Sequence, residues 1–166
     1  MPSSFPGLGL MKLRSGSAND AEAIAELIAS FQSELTNQPD GAGAEQYLAS
    51  VSSQSEREYL ESPRYAYIVA ELDGDIRGFI ALRDVSHVFH LFVARQYQRT
   101  GIARRLWREA KTQALKAAAP THFTVNSSLS AVATYRAFGF EASGEVVSVH
   151  GISFVPMRLA VHELEG

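Results

Sequence analysis

The stretch His87-Val88-Phe89-His90-Leu91-Phe92-Val93-Ala94-Arg95-Gln96-Tyr97-Gln98-Arg99-Thr100-Gly101-Ile102-Ala103-Arg104-Arg105-Leu106 changes pattern twice. His87 to Val93 is apolar and β-prone, Arg95 to Thr100 is a polar turn, and Gly101 opens a helical pattern. A strand, a glycine-containing turn and a helix start, in that order, make an anion site. The first helical N–H groups have no partner within the helix, and the dipole adds roughly half a positive charge there. Glycine lets a phosphate approach the backbone because no Cβ stands in the way. The local charge agrees. Between Arg95 and Lys116 seven basic residues face Glu109 alone, a net +6 in a chain whose formal total is −3. The remainder therefore carries −9. Either a solvated basic helix face or a polyanion site would look like this, and the strand and glycine favour the site.

Gln98-Arg99-Thr100-Gly101-Ile102-Ala103 resembles the Q/R-x-x-G-x-G/A signature of the GNAT superfamily of N-acetyltransferases. A second stretch, Asn126-Ser127-Ser128 through Tyr135-Arg136-Ala137-Phe138-Gly139-Phe140, resembles that family's later motif: an Asn after the fifth strand, a helix carrying Tyr, then Gly-Phe. The resemblance spans about Leu10 to Ala160. It implies acetyl-CoA as co-substrate, no metal, and an amine acceptor. By the same resemblance, the backbone of Leu91, Phe92 and Val93 would pair with the pantetheine arm. Gln98, Arg99, Thr100, Gly101, Ile102, Ala103 and Arg104 would surround the pyrophosphate. Tyr135 would be the general acid. Asn126 would bind the pantetheine arm or cap the following helix.

The chemistry fits those residue types. A leaving thiolate, whose thiol has a pKa of about 8.5, needs a proton, and a phenol near 10 stays protonated to supply one. Without the motif, Tyr135 would read as an aromatic core residue. His87 falls, by ungapped count from Gln98, at the family's base position. His90 is the other candidate, and strand alternation puts the two on opposite faces unless a bulge intervenes. Glu71, Asp84 or a water chain are the remaining routes for the proton. The acids between Glu56 and Glu61 read as solvated helix charges.

Composition bounds the rest. With 166 residues, 46% apolar and 20% charged, the chain reads as one globular domain over 10–166, after a probable N-terminal extension, 1–9. The acidic balance argues against nucleic acid as a partner. No cysteine is present, so no disulfide or thiol nucleophile is available. No apolar run reaches the roughly 18 residues of a membrane span, and the N-terminus lacks a signal-peptide pattern. The expected location is cytoplasmic, with a homodimer allowed by the family.

The periodicities predict strand, two helices, three antiparallel strands, the Gly101 helix, a parallel strand, a short helix and a final hairpin. This is an α+β fold: a mixed, splayed sheet of about seven strands with helices on both faces. It is the GNAT order. The competing functional readings are a catalytically silent acyl-CoA-binding module and nucleotide binding. The second lacks both G-x-x-x-x-G-K-[ST] and G-x-G-x-x-G.

Overall fold

The computed structural model describes residues 10–162; the extension read at 1–9 lies outside them. The elements run β1 Lys12–Ser15, α1 Ala21–Ala29, α2 Gln32–Leu35, α3 Glu45–Ser50, α4 Ser53–Glu61, β2 Tyr65–Leu72, β3 Asp75–Arg83 and β4 His87–Val93. They continue α5 Ile102–Ala118, β5 His122–Ser128, α6 Val132–Ala137, β6 Glu141–Ala142, β7 Val147–Val149 and β8 Ile152–Ala160. The order expected from sequence is present, with the two early helices each broken in two. α1 stops before Phe31; α3 stops at Ser50, and Ser52 caps the next helix by accepting from the Ser55 N–H.

Eight strands form one sheet in the order β1-β2-β3-β4-β5-β8-β6, with β7 also on β8. The eighth strand arises because 141–150 makes two short strands where the sequence suggested one. All pairings are antiparallel except β4–β5. That parallel pair follows from the α5 crossover.

Alternation along the central strands feeds two cores. Ile68, Ala70, Ile80 and Leu82 pack beneath α5 and α6 with Ile102, Leu106, Trp107 and Tyr135. Tyr67, Val69, Phe79 and Ala81 face the other way, against Ile24 and Ile28 of α1 and Val51. Trp107 is a packing residue, its ring 5.1 Å from Phe123 and 5.3 Å from Phe140.

Two departures from regularity position the site. β4 pairs with β5 only at His87–Thr124 and Val88–Val125; beyond Val88 the strands separate. On the β3 side, Ala81 pairs with His90 and Leu82 with Val88, leaving Phe89 as an extra residue. This bulge makes Phe89 and His90 both face the α1–α4 side.

The turn between β7 and β8 docks on the loop after α2. The Asn37 N–H donates to the Gly151 carbonyl at 2.8 Å, and Ser153 Oγ donates to Asn37 Oδ1 at 2.8 Å. Gly151 has φ +79°, and a Cβ there would lie 2.5 Å from the Gly43 backbone. Gly151→Ala combines a left-handed backbone with a clash against main chain, and should destabilise by about 2 kcal/mol or more. For a domain of this size that is a fall in Tm of roughly 4 °C or more. A thermal unfolding scan checks it; a Tm within one degree of wild type would show that the loop yields freely.

Candidate functional site

The turn after β4 is built from two left-handed residues, Arg99 at φ +63° and Gly101 at φ +88°. Gly101 is the N-cap of α5, so the first N–H groups of a 17-residue helix point out of the turn. A Cβ on Gly101 would meet nothing within 4 Å, because it borders open space. The Gln98 side-chain amide donates to the Val93 carbonyl at 3.0 Å, and the Thr100 hydroxyl donates to the Tyr97 carbonyl. Both bonds hold the turn in shape.

That open space is a groove of about 770 Å³ running from the turn into the gap between β4 and β5. Leu91, Phe92, Val93, Gln98, Arg99, Gly101, Ile102, Ala103, Arg104 and Tyr135 line it, so most of the positions singled out from the sequence come together. Thr100, Asn126, His87 and His90 do not line it. Thr100 is turned to Tyr97. Asn126 sits within β5, opposite Pro156 and exposed; the strand runs on to Ser128, so Asn126 caps no helix. Across the mouth, the Arg95 guanidinium donates to Glu34 at 2.6 Å and to the Ser30 carbonyl at 3.1 Å. It also lies 4.5 Å from the Phe31 ring, joining the α1–α2 corner to the turn.

Tyr135 stands on α6 at the groove wall, 5% exposed. Phe138 and Phe140 hold its ring at 6.1 and 5.6 Å. Burial pushes the phenol well above its ordinary value, so it keeps its proton at neutral pH.

The bulge brings His87 and His90 to one face of β4, where unbroken alternation would separate them. His87 Nδ1 is 2.8 Å from Thr124 Oγ1 across the closed end of the strand pair. Burial, with Arg83 nearby, holds its pKa below the usual value; Asp84 opposes this only in part. His90 is 6% exposed and its Nε2 is 3.0 Å from Glu56 Oε2. The other oxygen of Glu56 accepts from the Tyr67 hydroxyl at 2.6 Å.

Glu56 corrects the reading of the α4 acids as solvated: it is 0% exposed. The signal was there. Glu56, Tyr59 and Leu60 stand at i, i+3 and i+4, one face of a helix. The other carboxylates considered for proton removal are engaged elsewhere: Glu71 accepts from Arg14, and Asp84 from Arg64. Among the described residues no group of three His, Cys, Asp or Glu could hold a metal ion, and no helix is long and apolar enough to cross a membrane.

Residues 34–161 match the family model of the acetyltransferase (GNAT) domain. No curated protein matches the chain. The fold is similar to that of PaiA N-acetyltransferase from Thermoplasma acidophilum in complex with coenzyme A, with TM-score 0.72 and 17% identity over 91% of this chain and 99% of that one. It is also similar to a GCN5-related N-acetyltransferase from Rhodopseudomonas palustris, with TM-score 0.73 and 20% identity over 97% and 99%. An acyl-CoA N-acyltransferase from Pseudomonas aeruginosa gives TM-score 0.63 and 17% identity over 90% and 99%. At these identities the likeness is one of fold.

The lowered pKa of His87 has a consequence for stability. The unfolded chain takes up a proton as pH falls through about 6.5, where the folded chain resists it, so proton binding favours unfolding. The contribution of His87 is therefore full above about pH 6.5 and declines from there towards its folded value. His87→Gln should reduce the loss of Tm between pH 7.5 and pH 5.5 relative to wild type. An identical loss in both proteins would mean that His87 titrates alike in the folded and unfolded chains.

Proposed function

Since the chain belongs to the GNAT acetyltransferase family, we propose that it moves an acetyl group from acetyl-CoA to a primary amine by direct attack. The observation that carries this is the separation of β4 from β5 beyond Val88, opening into a groove that ends at the Gly101 turn. The freed backbone of Leu91 to Val93 needs hydrogen-bond partners, and the two amides of a pantetheine arm supply them. The N-terminus of α5, with Arg99 and Arg104 beside it, suits a pyrophosphate. A neighbour of this fold solved in complex with coenzyme A supports the choice of cofactor.

The reaction divides between two sides of β4. The amine must be neutral before it attacks. For a lysine-like amine at pH 7 this is roughly 3.4 pKa units, about 4.6 kcal/mol; for an α-amine it is only about 1 kcal/mol. An imidazole of β4, His87 or His90, takes the proton, since histidine is poised for that work near neutral pH. The oxyanion is held by N–H groups of the splayed segment. As the C–S bond breaks, Tyr135 protonates the sulfur. A silent acyl-CoA-binding module would need neither a buried phenol in the groove wall nor imidazoles behind it.

Acetylation of polyamines, amino acids, aminoglycosides and peptide N-termini, followed by release of the CoA thiol, tests the activity and finds the acceptor class. Two variants then test the parts. Gly101→Glu places a carboxylate and a strained backbone at the pyrophosphate turn, and should weaken acetyl-CoA binding by about tenfold or more in calorimetry. Equal affinity in a folded variant would remove the cofactor from this turn. Tyr135→Phe keeps the ring and deletes the proton. It should lower kcat by about 10²-fold with acetyl-CoA affinity little changed. A kcat within twofold of wild type would leave Tyr135 a packing residue.

A further inference from the structure

Among the described residues Glu56 is the one carboxylate with no exposure to solvent, and it sits behind the strand on which the transfer would occur. A buried carboxylate is costly to keep charged unless donors surround it. Here there are two: the Tyr67 hydroxyl at 2.6 Å and His90 Nε2 at 3.0 Å, one to each oxygen. Buried ionic groups of this kind are weak contributors to stability, since well-packed apolar residues serve as well or better. Their presence next to a reaction centre therefore points to chemistry.

The pair requires one tautomer: a Glu56 that accepts from Nε2–H leaves Nδ1 of His90 as the lone-pair nitrogen. Among the described residues, Arg77 Nε is the only fully buried side-chain nitrogen or oxygen without a partner. Nδ1 of His90 makes no hydrogen bond to another described residue; the ring is 6% exposed and stands one residue behind the groove-lining Leu91. The ring is fixed by Phe89 at 4.1 Å, Phe79 at 5.8 Å and Phe92 at 5.9 Å, with Tyr67 edge-on at 6.4 Å. Phe92 itself lines the groove, as does Leu91, the residue after His90. The other ionisable groups near Glu56 are the phenols of Tyr47 and Tyr59. Burial holds both above their ordinary values, Tyr47 at about 12.

We propose that Glu56 is the positioning residue of a Glu56–His90 pair, in which His90 Nδ1 takes the proton of the acceptor amine. The proposal rests on the acetyl-transfer reading above. Between the two imidazoles of β4, it selects His90. Two protons leave the nitrogen as the N–C bond forms and the C–S bond breaks. One goes to His90 Nδ1 and on to solvent. The other replaces, through solvent, the proton that Tyr135 gives to sulfur. Tyr67 keeps the second oxygen of Glu56 occupied, so the carboxylate cannot turn away from His90.

The test combines nitrogen NMR of the histidine rings with turnover, using the full chain and the best amine from the acceptor panel. His90→Gln assigns the His90 signals among the five histidines. Wild type should show His90 as the Nε2–H tautomer. Glu56→Gln can donate to Nε2 and should move the ring to the Nδ1–H form. It should lower kcat about tenfold or more, with acetyl-CoA affinity within about twofold, because Glu56 lies outside the groove.

A wild-type Nδ1–H tautomer overturns the proposal, as does a folded Glu56→Gln with kcat within twofold. A loss of kcat without a change of tautomer assigns Glu56 to packing and overturns it too. Should Glu56→Gln not fold, Tyr67→Phe takes its place. A lower kcat with the Nε2–H form retained supports the pair, and an unchanged kcat overturns it. Wild-type protein that turns over no amine of the panel sinks the acetyl-transfer reading, and this role with it. Turnover with the wrong tautomer sinks this role alone.

Discussion

Everything at the site depends on one unpaired edge. β4 finds its parallel partner for two residues, His87 and Val88, and then runs on alone to Val93. In a sheet, an internal strand without a neighbour leaves N–H and C=O groups unsatisfied, which is costly unless water or a ligand meets them. The chain can keep this gap because β4 is firmly held from the other side. β3 pairs with it from Gly78↔Val93 to Arg83↔His87, and β5 is secured along its length by β8. Two well-anchored halves can part without unravelling. The groove is thus a property of the sheet, and the turn that follows β4 merely finishes it.

The same strand separates two electrostatic tasks. At its far end the left-handed turn and the start of α5 gather positive potential. On its α1–α4 face, behind aromatic rings, sits a carboxylate satisfied by a phenol and an imidazole. The turn and the buried carboxylate thus lie at different places along one strand, the first at its end and the second on its α1–α4 face. Arg95 is the link across the mouth, and Glu34 and Phe31 hold it in place.

Much of this is legible in the residues. The 87–106 stretch shows a strand, turn and helix because its polarity changes period there, and Gly101 announces the left-handed position the turn requires. β2 and β4 have the limits that their apolar runs indicate, and Gly139 ends its helix at φ +103°. Helix continuity is less legible. Val51 and Ser52 read as helix interior, whereas Ser52 prefers to cap the next helix with its own hydroxyl. Asn126 reads as post-strand, whereas β8 extends β5 to Ser128. Strand length here is decided by a partner lying about thirty residues away, and local sequence cannot express it. The burial of Glu56 is hidden in the sequence for a related reason. A glutamate on a polar helix is usually solvated, and only the meeting of α4, β2 and β4 shows that two donors await it.

The bulge at Phe89 brings these strands of argument together. A regular β4 would turn His87 and His90 to opposite faces, sending one of them into the core beneath α5. The extra residue instead keeps Val88, Leu91 and Val93 on the α5 side while His87, Phe89, His90 and Phe92 face α1 and α4. One inserted residue thus does two things. It aims both imidazoles away from the α5 core, and it bends β4 next to the place where β5 leaves it. The irregularity that weakens the β3–β4 ladder by one pair is the same one that lets Glu56 reach His90. The bulge and the buried acid meet at His90: the extra residue turns the ring toward α4, and Glu56, held by Tyr67 on its other oxygen, bonds to it there.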